Sequence, residues 1–502
     1  MKVMLQKDKL EAFPSEAVVA FHFEGDEKFL RETEAIDKAS GGLISEVIQA
    51  GDFQGELYQT SLIYTKGAIP AKRILLIGLG KRRDFHLDKW RGTASKAARF
   101  LRDQGVKGFS LCPYLGGERK ISLEDFCQGL VEGIYLGLYE FNEFKTEERE
   151  KIKEVEAIHL VTPDEKRISR IQKAVEAAEI ISKAVYLARN LVSRPANRKT
   201  PSMLAQVAKE VAENNGLRCE ILNTEEMEKL GMGALLAVAS GSHESPKFII
   251  LEYKPPKSRL DTVVVIGKAI TFDSGGLSLK PSENMDKMKH DMGGGAAAIG
   301  VMQATSQLKL PLHLVALIPA TENLPSGSAY RPGDILNSLS GKTIEVISTD
   351  AEGRLILADA LAYSHRTKPK AIIDLATLTG ACIIALGENV TGMMGNDDEL
   401  KARVRRASDR TGEKVWELPL WEEYEEQLKS EVADIKNVGG RPAGTITGGV
   451  FLKKFAGEYP WVHLDIAGPV WAEKDKPYIP KGATGVGVRL VVQLLRDWKV
   501  GS

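Results

Sequence analysis

The feature that most constrains this chain is a series of short, almost wholly apolar runs spaced along its second half. RCEIL, KFIILEY, DTVVVIG, LHLVALIP, TIEVIS, AIIDLA and WVHLDI each have the length of a strand, and helical patterns separate most of them. Runs without polar alternation belong to strands buried on both faces, and intervening helices are the crossovers that parallel strands require. From residue 192 onward the sequence therefore predicts a mostly parallel central sheet covered by helices. The first part repeats the logic on a smaller scale. AVVAFHF at 17–23 and RILLIGL at 73–79 read as buried strands, and DKWRGTASKAARFLRDQG at 88–105 reads as a helix. A charged amphipathic stretch over 163–191 separates the two parts, and Pro195 and Pro201 break its pattern. The expected organisation is two α/β domains: a smaller N-terminal one over 1–162, a linker helix over 163–191, and a larger C-terminal one over 192–502.

Composition narrows the class. Apolar residues make up 43% and charged residues 27%, which excludes a disordered or fibrous chain. Lys+Arg and Asp+Glu both number 68, so no overall positive field draws the chain to nucleic acid. Cys112, Cys127, Cys219 and Cys382 form no CxxC pair and are expected to be reduced thiols. The N-terminus carries Lys7, Asp8, Lys9 and Glu11 where a signal peptide needs an apolar run. AIIDLATLTGACIIALG is too short and too polar to span a bilayer. The expectation is a cytoplasmic protein without a membrane segment.

In open α/β sheets, ligands bind beyond the carboxyl ends of the strands, here just after VVVIG, IEVIS and IIDLA. Lys268, Asp273 and Lys280 follow the first of these, Asp350, Glu352 and Arg354 follow the second, and Asp291 opens an Ala-rich helix pattern. Asp350 and Glu352 are two apart, which aims both the same way on a turning backbone but not on a helix. Glycines beside Asp273, Asp291 and Glu352 let the backbone crowd a shared point. Gathered carboxylates repel one another unless cations compensate, and four of them call for about two divalent ions, roughly 3.5–4 Å apart in two-metal hydrolases. Taken singly, each acid is better read as a turn or cap residue, and Asp350 with Glu352 could simply favour a helix start. Together, at two strand ends and one helix start, they are better read as metal ligands.

Competing motifs fail. Arg83 stands where a dinucleotide fingerprint starting at Gly78 needs its third glycine, and Leu336 stands where a phosphate loop ending in Gly341-Lys342-Thr343 needs its first. Neither G-x-S-x-G nor H-E-x-x-H occurs. His290 reads as a structural or rim residue and His463 as a buried strand histidine. Lys81-Arg82-Arg83 and the run from Arg403 to Arg406 lack interleaved aromatics and read as solvated faces.

The blocks GKAITFDSGGLSLK, NMDKMKHDMGG, ENLPSGSAYRPGD, TDAEGRL, DLATLTGA and NVGGRPAGTITGGVFL resemble, in order, those of the leucyl aminopeptidase family, the cytosolic two-metal enzymes. The likeness is strong over about 190–500; the N-terminal part shares only length and α/β character, where the family has a macro-like domain. The resemblance implies hydrolysis of the N-terminal residue from peptides, with Leu and other apolar residues preferred. It implies two divalent ions, Mn²⁺ or Zn²⁺, on Lys268, Asp273, Asp291, Asp350 and Glu352, with Asp273 and Glu352 bridging them. Lys280 and Arg354 match the catalytic residues, and Met288, Thr377 and Gly380 match the pocket for the first side chain. Members use a bicarbonate, which Arg354 would hold, as general base, and often assemble as homohexamers. Some bacterial members also bind DNA, so an accessory DNA-binding role with secondary peptidase activity is the alternative. One departure is visible: Ser348 stands where the family usually has Asn, and it offers a shorter hydrogen-bonding reach next to Asp350.

Overall fold

The structure, a computed structural model, describes residues 1–115, 121–256 and 260–499. It divides into two compact units, Met1–Ser182 with Lys474–Pro480, and Lys183–Glu473 with the residues from Lys481. The expected fold class is what the structure shows: two α/β units, the larger with a sheet that is parallel at its centre. The stretch expected as a linker forms one turn at Glu165–Arg167 and then a single helix, Ile168–Ser193, inside which the division between the units falls.

In the first unit, six strands lie in the order Lys2–Gln6, Ala157–Val161, Gly108–Leu111, Ala17–His22, Arg73–Gly78 and Thr60–Tyr64. All neighbours pair parallel except the last two. The run Ala17–His22 is buried throughout, as its unbroken apolar sequence requires.

In the second unit, the sheet runs Val415–Glu417, Thr391–Gly395, Trp461–Asp465, Ala371–Ala376, Thr262–Gly267, His313–Asn323, Lys247–Tyr253 and Arg218–Leu222. The four central strands are mutually parallel and the outer ones join antiparallel at Thr391–Gly395 and Lys247–Tyr253. Ala269–Asp273 pairs alongside the far end of His313–Asn323, with Asp273 opposite Asn323. This extension lets the chain cross the end of the sheet and deliver Asp273 there.

One expectation is corrected. TIEVIS is not a strand of the central sheet. Only Thr343–Glu345 pairs, in a small separate sheet with Ile335–Asn337 and Ile435–Lys436. Three residues with alternating burial cannot fill a central position, and Ile344 alone packs into the core. Gly341, in the phosphate-loop look-alike, sits in the tight turn before this strand, and no helix follows it.

Two smaller readings are settled. All four cysteines are free. In the basic run, Arg403 and Arg406 pair with Glu399 and Arg405 pairs with Glu417, so the run is a solvated, charge-matched face. Among the described residues, no helix is long and apolar enough to cross a membrane.

Candidate metal centre

The centre forms where two adjacent parallel strands end. Gly267, the last residue of one, lies opposite Leu375 of the other, so Lys268 and Thr377 emerge side by side. The Lys268 ammonium is buried and touches Asp291 Oδ1 at 2.8 Å, Glu352 Oε1 at 2.9 Å and the Thr377 carbonyl at 2.9 Å. A second lysine mirrors it: Lys280 Nζ lies 2.8 Å from Asp273 Oδ2 and 2.5 Å from Asp350 Oδ1. Residues from 268 to 352 thus converge on one point. Oxygens of Asp273, Asp350 and Glu352 lie within 4.8 Å of one another, and Asp291 stands across Lys268 from Glu352.

Local backbone explains the convergence. Asp350 lies in a turn, and Glu352 is the N-cap of helix Gly353–Ser364 but gives no side-chain capping bond, so its carboxylate is free to face inward. The pair does stand at a helix start, but Glu352 makes no side-chain capping bond there. Gly353 has no room for a side chain: a Cβ would sit 2.4 Å from Lys268 Cε. Gly275 holds φ at +86°, and a Cβ there would lie 2.5 Å from the Ser278 carbonyl and 2.9 Å from Asp350 Oδ1.

The electrostatics are those of buried acids set against two lysines. Burial, together with the neighbouring acids, raises the pKa of Asp291 and Glu352 against the opposing pull of Lys268. Burial also raises that of Asp350, against Lys280. Burial alone would lower the pKa of Lys268, but the charges of Asp291, Glu352 and Asp273 outweigh it and raise it. Lys280 is raised in the same way by Asp273, Glu352 and Asp350. The two ammonium groups thus offset the charge of the acids, Lys268 from the buried side and Lys280 from the more exposed one. Glu352 Oε2, buried, accepts no hydrogen bond among the described residues. Four carboxylates beside one lysine amine, with a buried carboxylate oxygen that lacks a hydrogen-bond partner among the described residues, fit divalent cations.

The remaining expected residues lie around this core. Thr377 Oγ1 donates to Asp291 Oδ1 at 2.7 Å. Met288 lies in the short 3-10 turn Met285–His290 that leads into Asp291. Gly380 begins helix Gly380–Leu386, with open space where its side chain would be. Arg354 is buried and its Nη1 donates to the Asn437 carbonyl at 2.8 Å, while its Nε has no hydrogen-bond partner among the described residues. Burial lowers its pKa to about 10. Ser348 Oγ accepts from the Asp350 backbone N–H at 3.3 Å, so the shorter side chain still reaches the turn that carries Asp350.

Sequence reasoning missed the residues that hold this machinery. Asn323 donates from Nδ2 to Asp273 Oδ1 at 2.9 Å and to the Thr349 carbonyl at 3.0 Å, tying two acid-bearing segments together. Tyr330 donates to the same carbonyl at 2.8 Å. Asn437 accepts from the Ile347 N–H at 2.8 Å and donates to the Ser348 carbonyl at 2.7 Å. Buried Asp465 accepts from Thr379 Oγ1 at 2.7 Å and from the Leu378 N–H at 3.2 Å, fixing the segment between Thr377 and Gly380. Asn323 and Asp465 end their strands, so the strand-end rule could have found them.

Comparison with known proteins decides the family. The catalytic-domain model of the cytosol aminopeptidase family matches residues 186–492, and its N-terminal-domain model matches residues 18–148. The chain belongs to the cytosol aminopeptidase family. Its class of activity is that of a metal-dependent aminopeptidase. A probable cytosol aminopeptidase of Geotalea uraniireducens is 50% identical over 464 residues, covering 92% of this chain and 93% of its own. One from Geobacter sp. (strain M21) is 45% identical over 99% of this chain and 100% of its own. Among solved structures, a tomato leucine aminopeptidase mutant matches with a TM-score of 0.88 and 34% identity, covering 99% of this chain and 97% of its own. The bottromycin maturation enzyme BotP in complex with Mn matches with a TM-score of 0.85 and 32% identity, covering 96% and 99%.

Proposed function

We propose that the enzyme removes the N-terminal residue of peptides, preferring Leu and other apolar residues, and serves intracellular peptide turnover in the cytoplasm. The observation that carries this reading is the convergence of Asp273, Asp350 and Glu352 within 4.8 Å, with Asp291 and Lys268 alongside. These five residues would hold two divalent ions. When bound, such a pair supplies a water of lowered pKa and Lewis-acid polarisation of the scissile carbonyl. The donor chemistry suits Mn²⁺ and accepts Zn²⁺; the similarity to an enzyme solved with Mn favours manganese.

The protein groups have distinct tasks. Lys280, only partly buried, presents an ammonium at the rim of the acid cluster and would stabilise the oxyanion that develops on the carbonyl. Lys268 has to give up its proton to act as a ligand, so loading the site would release one. Arg354 has an unused Nε–H, and the guanidinium could hold bicarbonate, which would act as general base. Met288, Thr377 and Gly380 would wall a medium-sized, adaptable pocket for the first side chain. A free α-amino group is required of the substrate because a capped one offers the centre no amine. We further propose assembly as a homohexamer; Leu279 and Ile384, 61% and 90% exposed, are apolar groups that such an assembly could cover.

The test uses purified protein and Leu-p-nitroanilide. Activity with Mn²⁺ is expected to exceed that on the Asp analogue by at least about tenfold, the order of discrimination an apolar pocket supplies. It is expected to vanish in EDTA and return with Mn²⁺ or Zn²⁺. Equal rates on the two substrates would overturn the specificity, and full activity in EDTA would overturn the metal mechanism.

A further inference from the structure

We propose that Lys199 is a positioning residue for the substrate pocket: its hydrogen bond to the Lys289 carbonyl anchors the turn that carries Met288 and leads into Asp291. The inference rests on the pocket assignment above. Lys199 is 1% exposed. Its Nζ donates to the Lys289 carbonyl oxygen and to no other group among the described residues. Burying an amine with one neutral acceptor costs stability that an apolar side chain of the same length would not cost. The one hydrogen bond the fold obtains in return goes to the carbonyl two residues before Asp291, whose charge also acts on Lys199.

That carbonyl belongs to a segment with little support of its own. Met285–His290 is a 3-10 turn, a conformation with poor hydrogen-bond geometry. It begins at Asn284, a non-glycine residue at φ +63°. At its ends, Lys287 N donates to the Asn284 carbonyl at 3.1 Å and Asp291 N to the Met288 carbonyl at 3.3 Å. Helix Gly293–Gln307, which follows, has no side-chain cap at Met292. The anchor, by contrast, stands on a firm base. Lys199 N donates to the Ala196 carbonyl at 3.0 Å, and the next residue, Thr200, caps helix Pro201–Asn215. On the other side, the Lys289 ammonium lies 5.6 Å from the Trp471 ring centroid and the His290 ring 6.1 Å from it. The turn is thus held on several sides: by Trp471, by the exposed Lys287–Glu473 ion pair at 2.8 Å, and from within the fold by Lys199, its buried polar tie.

Lys199→Met keeps the length and the burial and removes the donor. Its thermal midpoint is expected to equal or exceed that of the wild type. Amide exchange over 285–292, measured on the metal-free proteins by mass spectrometry, is expected to rise about fivefold or more, the scale of one lost hydrogen bond. With Mn²⁺ loaded, KM for Leu-p-nitroanilide is expected to rise by a similar factor with little change in kcat, and the preference for Leu over Ala is expected to narrow. Unchanged exchange and an unchanged Leu-to-Ala ratio would overturn the proposal. So would a large drop in thermal midpoint with equal losses on both substrates, which marks a merely structural lysine. The exchange measurement needs no activity, so an inactive wild type would count against the peptidase reading alone.

Discussion

Replacing Glu352 with alanine is expected to leave the protein folded and to lower Leu-amide hydrolysis by on the order of a thousandfold, the scale on which removing one preorganised electrostatic group acts. Glu352 is buried at the start of helix Gly353–Ser364, yet it gives that helix no capping bond. Its oxygens face Lys268 at 2.9 Å and share their space with Asp273 and Asp350. Burial first, and then the charge of Asp273, make its ionised form costly, and its raised pKa records that cost. Deleting it relieves repulsion while removing a donor shared by the proposed ions. Stability that holds or rises while activity collapses separates a ligand from a structural acid. Thermal unfolding and a Leu-amide assay on the same preparation read both; collapse of the fold with residual activity per folded molecule would contradict the assignment.

The second large effect concerns stability. Asp374→Ala is expected to lower the thermal midpoint by several degrees, the consequence of breaking a buried ion pair worth about 3–5 kcal/mol. Asp374 Oδ1 lies 2.5 Å from His463 Nδ1, its Oδ2 accepts from Trp461 Nε1 at 2.7 Å, and all three side chains are fully buried. Burial alone would lower the pKa of His463; the adjacent Asp374 outweighs it and raises it. A histidine whose folded-state pKa is raised contributes stability that is full below its unfolded value near 6.5 and is lost as pH rises through the folded value. The deficit of the variant is therefore expected to be larger at pH 6 than at pH 9. Thermal unfolding at both values checks this, and a deficit independent of pH would show that the histidine is neutral in the fold.

The strands of the second unit were legible because they are buried on both faces. Thr262–Gly267 and Ala371–Ala376 read as uninterrupted apolar runs, and their burial follows. Thr391–Gly395 escaped notice: TGMMG has two glycines and no β-branched residue beyond its first, so nothing local marks it, and pairing with Trp461–Asp465 makes it a strand. TIEVIS was misplaced because an apolar run identifies a strand but not its sheet. At the site, the acids were visible as chemistry at strand ends. Asn323 and Asp465 end their strands and were within reach of the same rule. Asn437 was not, since an amide that holds a loop from another segment has no local pattern. Lys199 was hidden for the same reason: its partner is ninety positions away, and a lysine beside Arg198 reads as solvent-exposed until its burial is seen.

The claim on which the rest depends is that this cluster of acids holds a pair of cations. Anomalous scattering from crystals soaked in manganese tests it most directly. Two peaks per chain are expected, both among Asp273, Asp350 and Glu352, one of them also reached by Asp291 and Lys268. A single peak, or none, with Lys268 and Lys280 still seated between the carboxylates, would contradict it.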